Sequence, residues 1–399
     1  MKNQAWIDKG NALFMQTYGR YPAVMVEGKG CRLKDADDRE YLDFLSGIAV
    51  CSLGHCYPPV TEAICRQAAT LVHVSNLYYT VPQTELAALL VGHSFGDRVF
   101  FCNSGAEANE AAIKLARKAS PAGKYEIISL EGSFHGRTLA TVAATGQKKF
   151  HEGFEPLPEG FRHAPFGDLA ALEAMISPAT CAILCEPLQG EGGVRPLDKE
   201  YLQGIRALCD RHGLLLLFDE VQVGMARTGT LFAYEQFGIE PDILTLAKAL
   251  GNGLPIGAML AKEKVAAAFT PGTHASTFGG NPVACAAAVV VVQTMLGDGF
   301  LPSVAAKGRY FAAKLDDLAK RYPHLAIGAR GMGLIQGLLL TDQGKELGPR
   351  IVQRLFQQGL LANFAGNTAL RFLPPLIVTE AEIDQAMATI AAVLAEMAG

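Results

Sequence analysis

The sequence of 399 residues lacks a charge excess of either sign, paired cysteines and a long apolar run. Its 35 Lys and Arg against 39 Asp and Glu give a net charge of -4, which argues against a basic surface for nucleic acid. The longest apolar run, residues 283–292, is shorter than the roughly 20 residues of a membrane-spanning helix. The nine cysteines show no CxxC spacing, so neither a disulfide framework nor a zinc site is indicated.

The first residues, MKNQAWIDKGN, lack the apolar core of a secretory signal. Together with the unpaired cysteines, this predicts a reduced, cytoplasmic protein that uses neither a membrane nor a nucleic acid as partner. Apolar residues make up 50% and charged residues 19%, a composition typical of globular proteins. A chain of this length exceeds one ordinary core, so two domains are expected.

Two short apolar runs, residues 214–218 and 243–247, each end in a strongly polar residue. The first run leads to Asp219 and the second to Lys248. Both runs have the length and texture of strands buried on both faces. In open α/β sheets ligands bind beyond the carboxyl ends of the strands, so both side chains are expected to face one crevice. An amine nucleophile beside a fixed carboxylate predicts covalent catalysis through a Schiff base.

Each of these two residues also has an ordinary structural interpretation. An Asp at a strand end is often a helix cap, and for Asp219 alone that alternative stays open. A single Lys is usually solvated. Lys248, however, lies between Ala247 and Ala249 and precedes the Gly-Asn-Gly turn at residues 251–253. A lysine in such an apolar setting favours a chemical role.

A strand at residues 98–102 runs into small residues and the start of an amphipathic helix. This succession predicts an anion site, because the free backbone N–H groups and the positive end of the helix dipole point at the same place. Gly105 and Ala106 would let a phosphate approach closely. The pattern is weak by itself, since many strand-to-helix turns share it.

Further candidate residues lie on loops and in one C-terminal strand. Phe134 and Arg137 follow the strand at residues 127–130, where they would suit ring stacking and carboxylate binding; a structural ion pair is the alternative for Arg137. Thr277 belongs to a loop whose hydroxyl groups could reach a phosphate. Arg371 is a charge in an otherwise apolar strand. The histidines have no spacing that supports a metal site, so none is predicted.

Six segments in order, SGAEANE, SFHGRT, EPLQGEGG, DEVQVGMARTG, LAKALGNGLPIGA and STFGGNP, resemble the class III aminotransferases of fold type I. These enzymes depend on pyridoxal phosphate. The resemblance implies an α/β fold, with a large domain built on a mostly parallel sheet flanked by helices and a smaller α+β domain. We expect residues 1–60 to be an N-terminal segment joining the small domain, residues 61–290 to form the large cofactor-binding domain, and residues 291–399 to form the small domain.

The resemblance also implies a role for each candidate cofactor residue. Lys248 would bind the cofactor covalently and move the substrate proton, while Asp219 would keep the pyridine nitrogen protonated. Val221 and Phe134 would enclose the ring, and Gln222 would donate to its phenolic oxygen. The remaining expected cofactor contacts are Gly105, Ala106, Glu220 and Thr277, the last reaching across from the partner subunit of a homodimer with shared active sites.

For the substrates, the resemblance implies that Arg137 and Ser276 bind acetylornithine and that Arg371 binds the α-carboxylate of glutamate or 2-oxoglutarate. Glu191 would be a gate that pairs with Arg371 and leaves when the dicarboxylate enters. Within the family the chain is most similar to the acetylornithine aminotransferases of arginine biosynthesis. The alternatives are ornithine, succinylornithine, succinyldiaminopimelate and 4-aminobutyrate aminotransferases. Ile48 favours an acetylated substrate, because ornithine aminotransferases of this class place a tyrosine there.

Two rivals of other kinds fit the residues less well. A regulatory protein that keeps the fold without turnover would not need Lys248, Asp219 and Glu191 together. A racemase or decarboxylase dependent on the same cofactor would not explain the pair of Glu191 and Arg371.

Overall fold

The computed structural model describes residues 2–398. The helices are α1 (Asn3–Leu13), α2 (Ser46–Ala49), α3 (Pro58–Thr70), α4 (Val81–Gly92), α5 (Gly105–Ala119), α6 (Leu139–Ala144), α7 (Leu169–Ala174), α8 (Lys199–His212), α9 (Glu263–Ala266), α10 (Pro282–Leu296), α11 (Phe300–Arg321), α12 (Asp342–Gln357) and α13 (Glu380–Ala398). Short 3-10 turns cover Lys148–Phe150, Ala233–Phe237 and Lys248–Gly251.

The strands are β1 (Met25–Lys29), β2 (Arg32–Asp35), β3 (Glu40–Asp43), β4 (Arg98–Cys102), β5 (Glu126–Leu130), β6 (Phe161–Ala164), β7 (Thr180–Cys185), β8 (Leu188–Gln189), β9 (Arg195–Pro196), β10 (Leu215–Asp219), β11 (Ile243–Leu246), β12 (Gly257–Ala261), β13 (Ala326–Met332), β14 (Ile335–Leu340), β15 (Leu360–Leu361), β16 (Asn363–Ala365) and β17 (Ala369–Phe372).

The largest sheet has seven strands in the order β4-β12-β11-β10-β7-β5-β6. β12 runs antiparallel to its neighbours β4 and β11, and the other pairs are parallel. Every residue of β7, β11 and β12 is buried, as expected for strands covered on both faces. This confirms the predicted mostly parallel sheet with flanking helices. The chain order requires crossovers between the strands, which place the candidate residues at one edge.

Three smaller sheets lie outside the seven-stranded one, and the third of them is the two-stranded pair of β8 and β9. The first pairs the N-terminal strands β1, β2 and β3 with β15, and the second has the order β13-β14-β17-β16. α11 packs against β13, and α12 packs against α13. The division at residues 60 and 290 remains a proposal.

The starts of α12 and α13 follow the capping rules. The Thr379 hydroxyl accepts from the Glu382 backbone N–H, and the Glu382 carboxylate accepts from the Thr379 N–H, as the sequence pattern predicts for the start of α13. α12 begins at Asp342, where the Thr341 hydroxyl caps it by accepting from the Gly344 N–H.

No helix within residues 2–398 is, taken singly, both long and apolar enough to cross a membrane. α10 and α11 meet that test only as a pair bent by 73°, on length and composition alone.

Candidate active site

A cavity of about 390 Å³ lies at the carboxyl ends of the parallel strands of the large sheet. Its walls come from the loops that follow β4, β5, β7, β10 and β11, so residues far apart in sequence meet there. The predicted site residues that line it are Gly105, Ala106, Phe134, Arg137, Glu191, Asp219, Val221, Gln222 and Lys248.

Asp219 is the last residue of β10 and is almost fully buried. Its Oδ2 accepts hydrogen bonds from Asn109 Nδ2 at 2.7 Å and from His135 Nδ1 at 2.8 Å, while Oδ1 accepts from the Val221 backbone N–H at 3.0 Å. Asn109 is itself fixed by Thr245, whose hydroxyl donates to Asn109 Oδ1 at 2.7 Å. The carboxylate is therefore held in one orientation at the edge of the cavity, not at a helix cap.

Lys248 follows β11 and stands in the same cavity. Its backbone has a positive φ of 46°, an unusual value for a residue other than glycine. Removal of the ammonium group from water lowers the pKa of Lys248, although the nearby carboxylates of Glu191 and Asp219 oppose that shift. A larger share of neutral amine is consequently available than for a solvated lysine, as a nucleophile requires.

The N-terminus of α5 forms one wall of the cavity, with Gly105 and Ala106 as its first two residues. The first backbone N–H groups of a helix have no acceptor within the helix, and the helix dipole is positive there. The Ser104 hydroxyl caps the helix by accepting from the Glu107 N–H at 3.1 Å. A Cβ atom at Gly105 would lie 2.6 Å from a methyl group of Val221, so a larger residue does not fit. This wall suits a phosphate group.

Glu191 and Arg371 form an ion pair at the side of the cavity. Arg371 Nη1 donates to Glu191 Oε1 at 2.6 Å and to Gln222 Oε1 at 3.0 Å. Burial acts to raise the pKa of Glu191, but the Arg371 guanidinium outweighs it and holds that pKa below its ordinary value. Glu191 is therefore ionised at neutral pH.

Comparison with known proteins agrees with this geometry. The sequence model of the family described as Aminotransferase class-III matches residues 14–394. The chain belongs to this family. It is 51% identical over 401 residues to an acetylornithine aminotransferase from Thermosynechococcus vestitus. The alignment covers 98% of this chain and 97% of that protein.

Solved structures of related enzymes share the fold. The N-acetylornithine aminotransferase from Stenotrophomonas maltophilia K279a has a TM-score of 0.84 and 38% identity, covering 98% of each chain. The ornithine aminotransferase from Toxoplasma gondii ME49 has a TM-score of 0.94 and 32% identity, covering 99% of this chain and 96% of that one. The predictions of the family and of fold type I are confirmed.

A class-III aminotransferase depends on pyridoxal phosphate, and this chain is a transaminase that uses that cofactor. The cavity fits the cofactor chemically. The α5 N-terminus can hold a phosphate, Asp219 presents a carboxylate to a ring nitrogen, and Lys248 presents an amine to an aldehyde. The volume of about 390 Å³ is within the range of small-molecule sites.

Glu220 is not part of the cavity lining, contrary to its predicted contact with the cofactor. It is buried on the other side of the chain, where its two carboxylate oxygens accept from the backbone N–H groups of Ala233 and Tyr234 at 2.6 and 2.7 Å. Burial raises the pKa of Glu220 to about 8. Because successive residues beyond a strand point in different directions, the neighbours Asp219 and Val221 face the cavity and Glu220 does not.

Ser276 and Thr277 also lie outside the cavity of their own chain. The Ser276 hydroxyl accepts from Asn103 Nδ2 at 3.3 Å and from the Gly279 N–H at 3.0 Å, so it adjoins the cavity wall. Thr277 belongs to a separate surface pocket next to His73. Within the single chain, Thr277 therefore does not meet the N-terminus of α5.

Arg137 is exposed at the mouth of the cavity. Its guanidinium lies 4.3 Å from the ring centroid of Phe150 and 5.6 Å from that of Phe134. Among the described residues no carboxylate pairs with it, so the alternative of a structural ion pair has no support. An exposed cation held against aromatic rings is available to a substrate carboxylate.

A left-handed turn borders the cavity on the side of Val50, which lines it. The four residues of α2 have φ between 47° and 66°, including the β-branched Ile48. The Asp43 carboxylate holds the start of this turn by accepting from the backbone N–H groups of Leu45 and Ser46, each at 2.8 Å. Such strained backbone persists only where its surroundings fix it, and it is common at functional sites.

Three buried polar residues of the site were missed by the sequence reasoning. Asn109 and His135 orient Asp219, and Glu186 lines the cavity while its Oε1 accepts from the Phe134 N–H at 2.9 Å. Burial, reinforced by the nearby Asp219 charge, raises the pKa of Glu186 well above its ordinary value. All three belong to the quoted family segments, which was the available signal, but no spacing rule assigns them a partner.

Proposed function

We propose that the chain transfers the terminal amino group of N2-acetyl-L-ornithine to 2-oxoglutarate, giving N-acetyl-L-glutamate 5-semialdehyde and L-glutamate. The observation that carries this proposal is the ion pair of Arg371 with Glu191, because Glu191 lines the same cavity as Lys248. The pair provides a cationic site for a dicarboxylate that can be neutralised when the other substrate reacts. The identity of 51% to an acetylornithine aminotransferase supports the choice of substrate.

In this proposal Lys248 attaches the cofactor and moves the proton at the reacting carbon. Its lowered pKa makes more of the amine neutral, and so able to accept that proton, than in a solvated lysine. When bound, pyridoxal phosphate supplies an electron sink for the carbanion that proton removal creates. Asp219 holds the proton on the ring nitrogen, and Asn109 and His135 keep its carboxylate aimed there.

The remaining cofactor and substrate contacts follow the same logic. Gly105 and Ala106 bind the phosphate through backbone N–H groups, Phe134 and Val221 enclose the ring, and Gln222 donates to the phenolic oxygen. Arg137 and Ser276 bind acetylornithine. Arg371 binds the α-carboxylate of glutamate or 2-oxoglutarate after Glu191 leaves.

An acetylated substrate suits the segment that carries Ile48. Free ornithine brings a charged α-ammonium group, which an isoleucine side chain cannot solvate, whereas acetylation removes that charge. Arg137 can bind the carboxylate of either molecule. We therefore expect acetylornithine to be preferred over ornithine, and succinylornithine to be tolerated.

A panel of amino donors with 2-oxoglutarate as acceptor tests this function. Specificity constants would be measured for acetylornithine, succinylornithine, ornithine, succinyldiaminopimelate and 4-aminobutyrate. Acetylornithine is expected to give a specificity constant at least tenfold above that of ornithine. A ratio of one or less would reject the assignment and favour an ornithine aminotransferase.

We also propose a cytoplasmic homodimer with shared active sites. Residues 72–83 and 276–281 are joined through Asn76, whose Nδ2 donates to the carbonyl groups of Ser276 and Gly279. The joined segments expose large apolar side chains, including Tyr79 at 98% and Phe278 at 61%. Contiguous exposed apolar side chains of this kind mark protein interfaces. A second copy covering them would bring Thr277 to the partner's phosphate site.

Mixing two inactive variants tests the shared site. Lys248→Ala and Thr277→Ala would be co-expressed with different tags, and heterodimers would be isolated. Each heterodimer should contain one intact site and regain up to about half of the wild-type kcat per dimer. Inactive heterodimers of verified composition would refute sharing.

A further inference from the structure

Asn363 lies directly opposite Arg371 in the antiparallel pair of β16 and β17. Arg371 Nε donates to Asn363 Oδ1 at 3.0 Å. On the other side of β17 the residue opposite Arg371 is Gly337, which has no side chain to compete with Asn363 for the guanidinium. The register of the sheet thus places one neutral acceptor beside the guanidinium, since directly opposed residues are the closest cross-strand neighbours.

The nitrogen atoms of the Arg371 guanidinium do not all have hydrogen-bond acceptors. Nε is bonded to Asn363, while Nη1 is bonded to Gln222 and Glu191. Nη2 is buried and has no hydrogen-bond partner within residues 2–398. Two of the three acceptors are neutral amides, and over the same residues Glu191 is the one carboxylate within ion-pair distance.

Burial indicates which member of the ion pair is fixed. The Arg371 side chain is 0% exposed and the Glu191 side chain is 32% exposed. When Glu191 leaves, Asn363 and Gln222 still satisfy Nε and Nη1, so the buried cation is not left without partners, which would be costly. Its positive charge is then available.

We propose that Asn363 is a specificity-determining positioning residue. As a neutral acceptor on Nε, it turns the Nη1 and Nη2 edge of Arg371 toward the cavity for two-point binding of the α-carboxylate of glutamate or 2-oxoglutarate, and it leaves the charge of Arg371 uncancelled. This inference rests on the proposed role of Arg371 in dicarboxylate binding. Glu191 contacts Nη1 alone, so the closed pair depends less on the orientation of the guanidinium.

Binding of glutarate to the holoenzyme, measured by calorimetry, tests the proposal with Asn363→Ala and Asn363→Asp. Asn363→Ala removes the acceptor on Nε and should raise the Kd for glutarate by about fivefold to tenfold. Asn363→Asp keeps the hydrogen bond but adds a permanent negative charge, so it should raise the Kd further, by about tenfold to a hundredfold. In both variants the KM for acetylornithine should stay within about twofold of wild type.

Which of the two variants has the larger Kd for glutarate distinguishes a positioning role from a purely structural one. A structural role predicts that Asn363→Asp, which is isosteric and strengthens the bond, is the milder change; that order, or an unchanged Kd in both variants, would overturn the proposal. Asn367→Gly is a matched control in the same hairpin, because its side chain is exposed and its φ of 52° suits glycine. Failure of the wild type to bind glutarate or to transaminate would instead reject the proposed function.

Discussion

The substitution Asp219→Asn tests the central electrostatic feature of the site. An asparagine has one acceptor oxygen, whereas Asp219 accepts on both oxygens, from Asn109 and His135 on one and from the Val221 N–H on the other. Whichever way the amide turns, its NH2 group faces at least one donor. The variant therefore leaves a buried donor unsatisfied, which costs about 1–3 kcal/mol of folding free energy in the apoprotein.

The larger expected effect of Asp219→Asn is on catalysis. An opposite charge at hydrogen-bond distance shifts a pKa by about one to three units, and each unit corresponds to about 1.4 kcal/mol. Loss of the carboxylate should destabilise the protonated ring nitrogen by about 1.4–4 kcal/mol. If that protonated form is required in the transition state, kcat should fall by roughly ten- to a thousandfold.

Three measurements address this substitution: kcat with acetylornithine and 2-oxoglutarate, the melting temperature of the apoprotein, and the affinity for pyridoxal phosphate. Affinity should change little compared with kcat, because the phosphate and Lys248 contacts remain. Asp242→Asn is a matched control, since Asp242 is a buried carboxylate paired with Arg206 outside the cavity. It should lose stability and keep kcat. A kcat within about twofold of wild type for Asp219→Asn would refute the reasoning.

Other substitutions and the pH dependence give separate tests. Lys248→Ala should abolish turnover and covalent attachment of the cofactor, as measured by borohydride reduction and mass spectrometry, because the Lys248 amine is the proposed nucleophile. Glu191→Gln should strengthen inhibition by glutarate in the amino-donor half-reaction by about tenfold or more, measured by stopped flow, because Arg371 then keeps its charge unpaired. Ile48→Tyr should move the ratio of specificity constants toward ornithine. Since the pKa of Lys248 is lowered, the rate of covalent attachment to the apoprotein should rise with pH and level off below pH 10.5, the ordinary value for lysine.

Each of these predictions has an outcome that contradicts it. Normal turnover by Lys248→Ala would remove the basis of the catalytic assignment. Unchanged glutarate inhibition in Glu191→Gln would show that no gate operates. An unaltered donor ratio in Ile48→Tyr would exclude that position from substrate selection, and an attachment rate still rising above pH 10.5 would contradict the lowered pKa.

The sequence was sufficient to predict the strands whose carboxyl ends carry the catalytic side chains. Buried parallel strands are short continuous apolar runs, and the residue after each run is delivered to the same edge of the sheet. For this reason the sequence alone predicts that Asp219 and Lys248 lie together, and they line one cavity. The anion site at the start of α5, with its glycine and alanine, could also be predicted from sequence, because a strand-to-helix turn has a local sequence pattern.

The directions of side chains in loops could not be predicted from the local sequence. Glu220 lies between two cavity residues yet points away, because the chain turns after β10 and its carboxylate meets the N–H groups of Ala233 and Tyr234. The sequence likewise contains no signal that four consecutive residues of α2 adopt a positive φ, since Ile48 intrinsically disfavours that conformation and only tertiary contacts impose it.

Long-range pairing was decided by the tertiary structure alone. The motifs contain Glu191, Gln222 and Arg371, but the hydrogen bonds among them join residues up to 180 positions apart. Asn363 acquires its place beside Arg371 from the register of β16 on β17, and no periodicity in the sequence specifies which residues of two strands stand opposite each other. The sequence therefore determined which chemical groups the site contains, and packing of the sheets determined which of them form hydrogen bonds and ion pairs with one another.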